Sequence, residues 1–491
     1  MRRALHTAFA LLLGGLALAA APDAQSQVYD TSTPRYAADL PVPSVHRYDQ
    51  IYYLQPHNTF EHGSSLTGWL DLGYRTVELD VIDRDWTSNA QGPYVSHDWT
   101  PGHKNCSVAG NTRLGHCLGD IINWVAAHPE NTTPILVFVD MKTTGSDLLS
   151  AWPAARVAAL DEWIRSFVGT GLYKFSDLYS HVQAAHGGGG QPRALLAQHG
   201  WPLLSAMNGK IVVALTGGRL GFVNQGMDGA LSQLVSNYGR YPATMLCPDV
   251  ENDPGEVSVG GTLDGISTNN SQYFVCSNLK SQDHYELTAN RAAQNKQMIH
   301  LWGDHVFGNT SFTYNYIAAA HGISAIGQDL ADFSAATTFG GALPHVGVRR
   351  SLPGYFELAP LANGALCATV NGGYGNGTAV VSSTCAVTNQ QQYVYTAEGQ
   401  LRPKGNNVYC VDVSGGSASE GKNVHLWNCD GGSSEKWRID PDGFFRNNTN
   451  TGQCLTAGGS SGAQFKTRAC TTSNDRRFQL YAVPDWVPTS F

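Results

Sequence analysis

Charge is scarce in this chain: Asp, Glu, Lys and Arg make up 14% of 491 residues, where about 25% is usual. Basic residues number 31 against 39 acidic ones. That balance leaves no electrostatic footprint for nucleic acid and no polybasic attraction to anionic lipid, so any membrane contact has to come from local aromatic loops. Beyond the N-terminal region no apolar run reaches the ~18 residues that a spanning helix needs, and a mature chain without a transmembrane segment is expected. The glycine run AHGGGGQP at 185–192 lacks the Lys-Ser/Thr of a phosphate-cradling loop and reads as a flexible connection.

At the N-terminus, Met1-Arg2-Arg3, the apolar run ALLLGGLALAAA and the small-residue exit PDAQS form the three parts of a secretory signal over residues 1–26. A secreted, extracellular protein is expected. Ten cysteines in an exported chain fit disulfides better than a metal cluster. Cys106 with Cys117, and Cys247 with Cys276, are close enough in sequence to close loops, although other connectivities are open.

The length suggests two to three domains. From residue 51 short strand-like runs alternate with helical stretches: IYYLQ, TVELDVI, YVSH, ILVFVDM, KIVVALTG, MLCPDV, MIHLWGD and GISAIGQDL. Eight such runs over about 280 residues predict an α/β lobe, a (β/α)8 TIM-like barrel over 27–350. CLGDIINWVAAH and WPAARVAALDEWIRSFVG have the apolar spacing of outer helices.

Within that lobe, Glu78 and Asp80 lie two apart in a β-branched run, so an extended strand turns both carboxylates to one face. Like charges so close require a cation or a proton between them, and hard oxygen donors suit Ca²⁺ or Mg²⁺ better than a soft transition metal. His57 and His97 flank the pair, and two imidazoles can serve as base and acid on opposite sides of one phosphorus atom. Asp140 closes a later strand, and all of these end apolar runs, where barrel enzymes carry their sites.

His57-Asn58, Glu78-x-Asp80, His97 and Asp140 resemble, over residues 51–142, the X region of phosphatidylinositol-specific phospholipase C, most closely its secreted, calcium-dependent bacterial branch. The resemblance implies Ca²⁺ held by Asn58, Glu78, Asp80 and Asp140, with His57, His97 and Glu78 catalytic. Lys142, Asp304 and Asp329 are further candidates for the substrate pocket. GKIVVALTG, in which Lys210 precedes the apolar run, does not show the lysines with which eukaryotic members hold extra ring phosphates, so unphosphorylated inositol lipid is the expected substrate. Cleavage would release diacylglycerol and an inositol cyclic phosphate. A glycerophosphodiester phosphodiesterase or a sphingomyelinase-D-like enzyme shares the barrel and paired histidines and is the alternative enzyme.

After a linker at 351–359, helical periodicity does not return. Cys367, Cys410 and Cys454 step by 43 and 44, and each is followed by a second cysteine 16 to 19 positions on, at Cys385, Cys429 and Cys470. Such a period marks an array. Each copy ends in a polar-polar-aromatic triplet, Gln391-Gln392-Tyr393, Glu435-Lys436-Trp437 and Arg476-Arg477-Phe478. These features resemble the ricin-B-type lectin, an all-β β-trefoil with a Gln-x-Trp signature, over residues 360–483, ahead of a short tail at 484–491. The resemblance implies one disulfide per repeat and one glycan pocket, in the middle repeat, from Asp412, His425, Trp427 and Glu435. The expected partners are therefore a phospholipid or other phosphodiester substrate and a glycan. A lectin whose barrel is catalytically inactive is the reading from a different class.

Overall fold

The computed structural model describes residues 45–97, 100, 102–107, 112–143, 152–217, 222–280, 285–302, 312–329, 345–349 and 354–482. The expected leader, the C-terminal tail and Asp304 lie outside these residues. The N-terminal lobe comprises β1 (Ile51–Pro56), α1 (Leu66–Asp71), β2 (Thr76–Ile82), β3 (Tyr94–Val95), α2 (Leu114–Ala127), β4 (Ile135–Lys142), α3 (Ala154–Val168), α4 (Phe175–His186), α5 (Pro192–His199), β5 (Ile211–Gly217), α6 (Phe222–Tyr238), β6 (Met245–Leu246), β7 (Asp249–Val250), α7 (Thr268–Ser271), β8 (Cys276–Lys280), α8 (Glu286–Gln294), β9 (Met298–Trp302), α9 (Phe312–Ala320), β10 (Ala325–Gln328) and β11 (Val346–Val348).

Its strands form two hydrogen-bonded sheets, β3-β2-β4-β5-β6 and β11-β1-β10-β9-β8-β7. All neighbours are parallel except the edge strands β3 and β11. The expected barrel of eight strands is seen as two separate sheets, and among the described residues no ladder joins β1 to β2. YVSH is not a parallel strand but a two-residue antiparallel edge. Two strands are missing from the sequence reading, the short antiparallel edge β11 and β8, whose CSNLK lacks the β-branched residues that betray a buried strand. MLCPDV splits at Cys247-Pro248 into β6 and β7 on different sheets, since proline has no N–H to continue a ladder.

Strand alternation positions the site. On β4, Ile135, Val137, Val139 and Met141 belong to one apolar cluster, shared with the outer helices. Leu136 and Phe138 belong to a second cluster with Ile51, Tyr53, Val212, Ala214 and Met298. The period of two then turns Asp140 and Lys142 to the same side as Leu136 and Phe138. The inward face is apolar at the N-terminal end of the strands and polar at the C-terminal end. Outside, the glycine run links α4 to α5, and Gly187 ends α4 at φ 82°, a conformation that only glycine adopts at no steric cost.

All ten cysteines are paired: Cys106–Cys117, Cys247–Cys276, Cys367–Cys385, Cys410–Cys429 and Cys454–Cys470. Among the described residues no helix is long and apolar enough to cross a membrane.

The C-terminal lobe is all β: β12 (Phe356–Pro360), β13 (Leu366–Val370), β14 (Val380–Thr384), β15 (Gln392–Tyr395), β16 (Leu401–Pro403), β17 (Tyr409–Val413), β18 (Val424–Asn428), β19 (Trp437–Ile439), β20 (Phe445–Asn447), β21 (Asn450–Thr456), β22 (Lys466–Ala469) and β23 (Phe478–Ala482). The hairpins β13–β14, β17–β18 and β21–β22 carry the three repeat disulfides. Tyr393, Trp437 and Phe478, one from each triplet, are all buried. Within the stretch expected as a linker, 351–359, β12 pairs with β15 and β23 from Phe356 onward.

The lobes meet along α8 and α9. Tyr316 packs edge-on against Phe356, Thr313 Oγ1 donates to the Phe478 carbonyl at 2.6 Å, and His321 Nε2 donates to the Tyr395 carbonyl at 3.1 Å. At the centre, Tyr395 Oη lies 2.8 Å from Glu286 Oε1 and 2.6 Å from the Trp437 carbonyl oxygen. A phenol has one proton for these two acceptors. Both contacts are satisfied when Glu286 is protonated and donates to Tyr395 while Tyr395 donates to Trp437. Burial accordingly raises Glu286 to about 7. A carboxyl raised in the folded state favours folding least once it must ionise, so stability should fall as pH rises from 4.5 through 7, by roughly 3 kcal/mol. Thermal unfolding at pH 5 and pH 8 checks this: Glu286→Gln, neutral at both, should lose less stability than wild type between them.

Candidate active site

One cavity of about 210 Å³ opens at the C-terminal ends of the strands, lined by His57, Glu78, His97, Asp140, Lys142, Thr143, Thr216, Gly217, Asn278, His300 and Trp302. Parallel register aligns Asp80 with Asp140 and Asp140 with Thr216. Asp80, fully buried, lies below this rim. Glu78, Asp80 and Asp140 each present an oxygen such that all three lie within 4.8 Å of one another. Lys142 Nζ stands 2.6 Å from Asp140 Oδ2 and 3.2 Å from Asp80 Oδ2.

Electrostatics divide these acids. Burial pushes Glu78 and Asp80 up, and Lys142 and His57 pull them only partly back. Burial acts on Asp140 in the same direction, but there the adjacent Lys142 ammonium prevails and holds it below the usual carboxylate range. His57 Nδ1 is 2.6 Å from Asp329 Oδ1, and its Nε2 is 3.7 Å from Glu78 Oε2. Burial lowers its pKa, yet the carboxylates of Glu78 and Asp329 more than offset this and lift it to about 9, so the ring is cationic near neutrality. His97, on the exposed rim after β3, is shifted the other way, by partial burial and by Lys142.

The donor set suits a hard divalent cation. The Asn58 amide oxygen is buried without a hydrogen-bond partner, as are both carboxylate oxygens of Asp80 apart from the Lys142 ammonium. Unsatisfied buried oxygens are costly, and carboxylates with a neutral carbonyl match oxygen-seeking ions. Asn58 sits at φ 47°, a left-handed conformation that asparagine tolerates, and its backbone N–H donates to Glu78 Oε2. Gln55 Nε2 donates to the same oxygen at 3.2 Å.

The sequence-derived candidates His57, Asn58, Glu78, Asp80, His97, Asp140, Lys142 and Asp329 thus come together. Sequence reasoning missed Thr216, Asn278, His300 and Trp302. A polar residue at an inward position of MIHLW was the available signal for His300. Lys210, at the head of GKIVVALTG, donates to the Thr170 carbonyl and does not line the cavity, whereas Lys280 lies over the Trp302 ring at 4.6 Å.

A second cavity, of about 310 Å³, lies in the middle trefoil repeat and is lined by Asp412, Gly415, Gly416, His425, Trp427, Asp430, Ser434 and Glu435. Asp412 and His425 are cross-strand partners with Oδ2 and Nε2 3.5 Å apart. His425 stacks on Trp427, whose ring remains 41% exposed. Glu435 is buried and accepts from the backbone N–H groups of Asp430 and Gly431 and from the Gln400 amide. Its carboxylate therefore clamps the loop under the pocket, as Gln391 does in the first repeat through Ala386, Thr369 and Thr384. Asp430, unforeseen, lies in the wall.

Residues 355–480 match the family model of the ricin-type beta-trefoil lectin domain. None of the curated proteins matches the chain. Among solved structures, the N-terminal part resembles the calcium-dependent phosphoinositol-specific phospholipase C of a Gram-negative Pseudomonas sp, at 22% identity, covering 62% of this chain and 96% of that one with a TM-score of 0.48. It also resembles the Ca²⁺-dependent phosphatidylinositol-specific phospholipase C of Streptomyces antibioticus, at 20% identity, 58% and 94% coverage and a TM-score of 0.44. The C-terminal lobe resembles the designed threefold-symmetric protein ThreeFoil, at 23% identity, 26% and 99% coverage and a TM-score of 0.25.

The buried acids generate a prediction that needs no substrate. In chelator, Asp80→Asn should unfold at a higher temperature than wild type, because it removes a like charge from a buried cluster. Added Ca²⁺ should raise the midpoint of wild type but leave that of Asp80→Asn nearly unmoved. Differential scanning calorimetry with and without Ca²⁺ checks both.

Proposed function

We propose that this protein is a secreted, Ca²⁺-dependent phosphodiesterase that cleaves phosphatidylinositol to diacylglycerol and inositol cyclic phosphate, and that its trefoil holds it to a glycan. The observation that carries this reading is the convergence of His57, His97, Glu78 and Asp140 on one cavity, with Asp80 buried beneath them and the two imidazoles shifted in opposite directions, His57 up and His97 down. The neutral wall of Thr216, Asn278, His300 and Trp302 suits a polyol without further phosphates.

Asn58, Glu78, Asp80 and Asp140 would hold the cation, which when bound supplies charge to offset that developing on the phosphate and acidity for the attacking hydroxyl. The protein residues divide the remaining work. Glu78 takes the proton of the inositol 2-hydroxyl as its oxygen bonds to phosphorus. His57, fixed through Nδ1 by Asp329, keeps its positive charge beside the crowded phosphorus centre. Lys142, with one ammonium between two carboxylates, retains donors for a phosphate oxygen. His97 gives its proton to the glyceryl oxygen as the phosphorus–oxygen bond breaks, and the cyclic diester leaves. On the trefoil, Asp412 and His425 offer acceptor and donor to sugar hydroxyls, and the exposed Trp427 face offers a stacking surface.

Phosphorus NMR on phosphatidylinositol micelles tests the reaction. A cyclic inositol phosphate signal should appear with Ca²⁺ and not with chelator, and His57→Ala or His97→Ala should lower the rate by about 10² to 10⁴. No product under either condition overturns the reading. Because His97 acts as an acid and its pKa is pushed below 6.5 by burial and Lys142, kcat should decline as pH rises through a value under 6.5. A decline confined to pH above 7.5 removes His97 from that role. On a glycan array, Asp412→Ala and Trp427→Ala should each abolish the binding that wild type displays while leaving lipid cleavage in free micelles intact.

A further inference from the structure

Three polar side chains form one row across three parallel strands of the second sheet. Asp249 of β7 is in register with Asn278 of β8, and Asn278 with His300 of β9. All three are buried. Asn278 Nδ2 donates to Asp249 Oδ1 at 2.6 Å, and a carboxylate can only accept there, so the orientation of the amide is set by chemistry. Its Oδ1 must then face His300 Nδ1, 2.8 Å away, and Nδ1 must be the nitrogen that carries the proton. The imidazole stacks on Phe138 with centroids 4.1 Å apart, which fixes its plane. Nε2 is left as a bare acceptor without a hydrogen-bond partner, on a residue that lines the cavity. Burial, with the positive charges of His57 and Lys142 nearby, pushes this ring down to about 3, so it stays neutral beside cations.

We propose that His300 is a specificity-determining residue whose Nε2 accepts a hydrogen bond from a hydroxyl of the substrate headgroup, with Asp249 and Asn278 holding it in the accepting tautomer. The assignment rests on the phosphodiesterase reading above and adds a direction to its selectivity. A buried acceptor that cannot take up a proton binds an O–H and repels an oxygen that can only accept. A headgroup bearing phosphate at that hydroxyl, or lacking the hydroxyl, is therefore rejected. Sites built to bond a hydroxyl discriminate strongly against analogues without it.

Two measurements test this. In ¹⁵N NMR of the intact protein, His300 Nε2 should resonate as a pyridine-type nitrogen and move toward the pyrrole-type range when myo-inositol is added. In steady-state assays on phosphatidylinositol, His300→Leu should raise KM about 10- to 100-fold with a smaller effect on kcat. His300→Gln, which keeps an acceptor, should recover most of that loss. A protonated Nε2, a resonance unmoved by myo-inositol, or an unchanged KM in a folded His300→Leu protein overturns the assignment. Wild type inert on phosphatidylinositol overturns the phospholipase reading instead; the acceptor assignment is then decided by the NMR titration alone.

Discussion

Glu78, Asp80 and Asp140 each place an oxygen within 4.8 Å of the other two, and the charges around the cavity can be understood from that constraint. Parallel strands bring Asp80 and Asp140 side by side in register, and alternation adds Glu78 on the same face. Repulsion of this kind has to be met by positive charge, and the lobe supplies it from two directions. Lys142 reaches in from the strand that carries Asp140, and His57 is turned inward by Asp329. The inward positions of Lys142 and His57 follow from neutralising one buried cluster.

Across the cavity the lobe does the reverse and keeps the wall uncharged. Asn278 and His300 are polar without ionising, and Asp249 is set behind Asn278 rather than in the lining. One half of the mouth deals in charge and the other in hydrogen-bond direction. A phosphodiester with a polyol headgroup presents the same two halves.

The legible part of the sequence was the part written in local order. His57-Asn58 and Glu78-x-Asp80 each lie within three residues, and strand alternation says where such residues point. The cysteine period was equally readable, because a repeat is a local fact stated three times. What escaped was written across strands. CSNLK has no β-branched residue, so β8 went unseen, and with it the register that joins Asp249, Asn278 and His300. YVSH has the composition of a parallel strand and is an edge because it pairs with β2 in the opposite sense. The role of Glu435 was also hidden: a carboxylate replaces the usual glutamine amide, and Gln400, distant in sequence, supplies the donor that accommodates the exchange.

The proton between Glu286 and Tyr395 has a consequence for how the chain can be divided. It belongs to neither lobe alone, since one supplies the acid and the other the phenol and the carbonyl behind it. Cutting the chain near residue 354 would wet a seam built to be dry and strand a buried acid on one fragment. The two lobes are in that sense one thermodynamic body. A tether that grips the trefoil also fixes the heading of the cavity on the other lobe, so attachment and orientation arrive together.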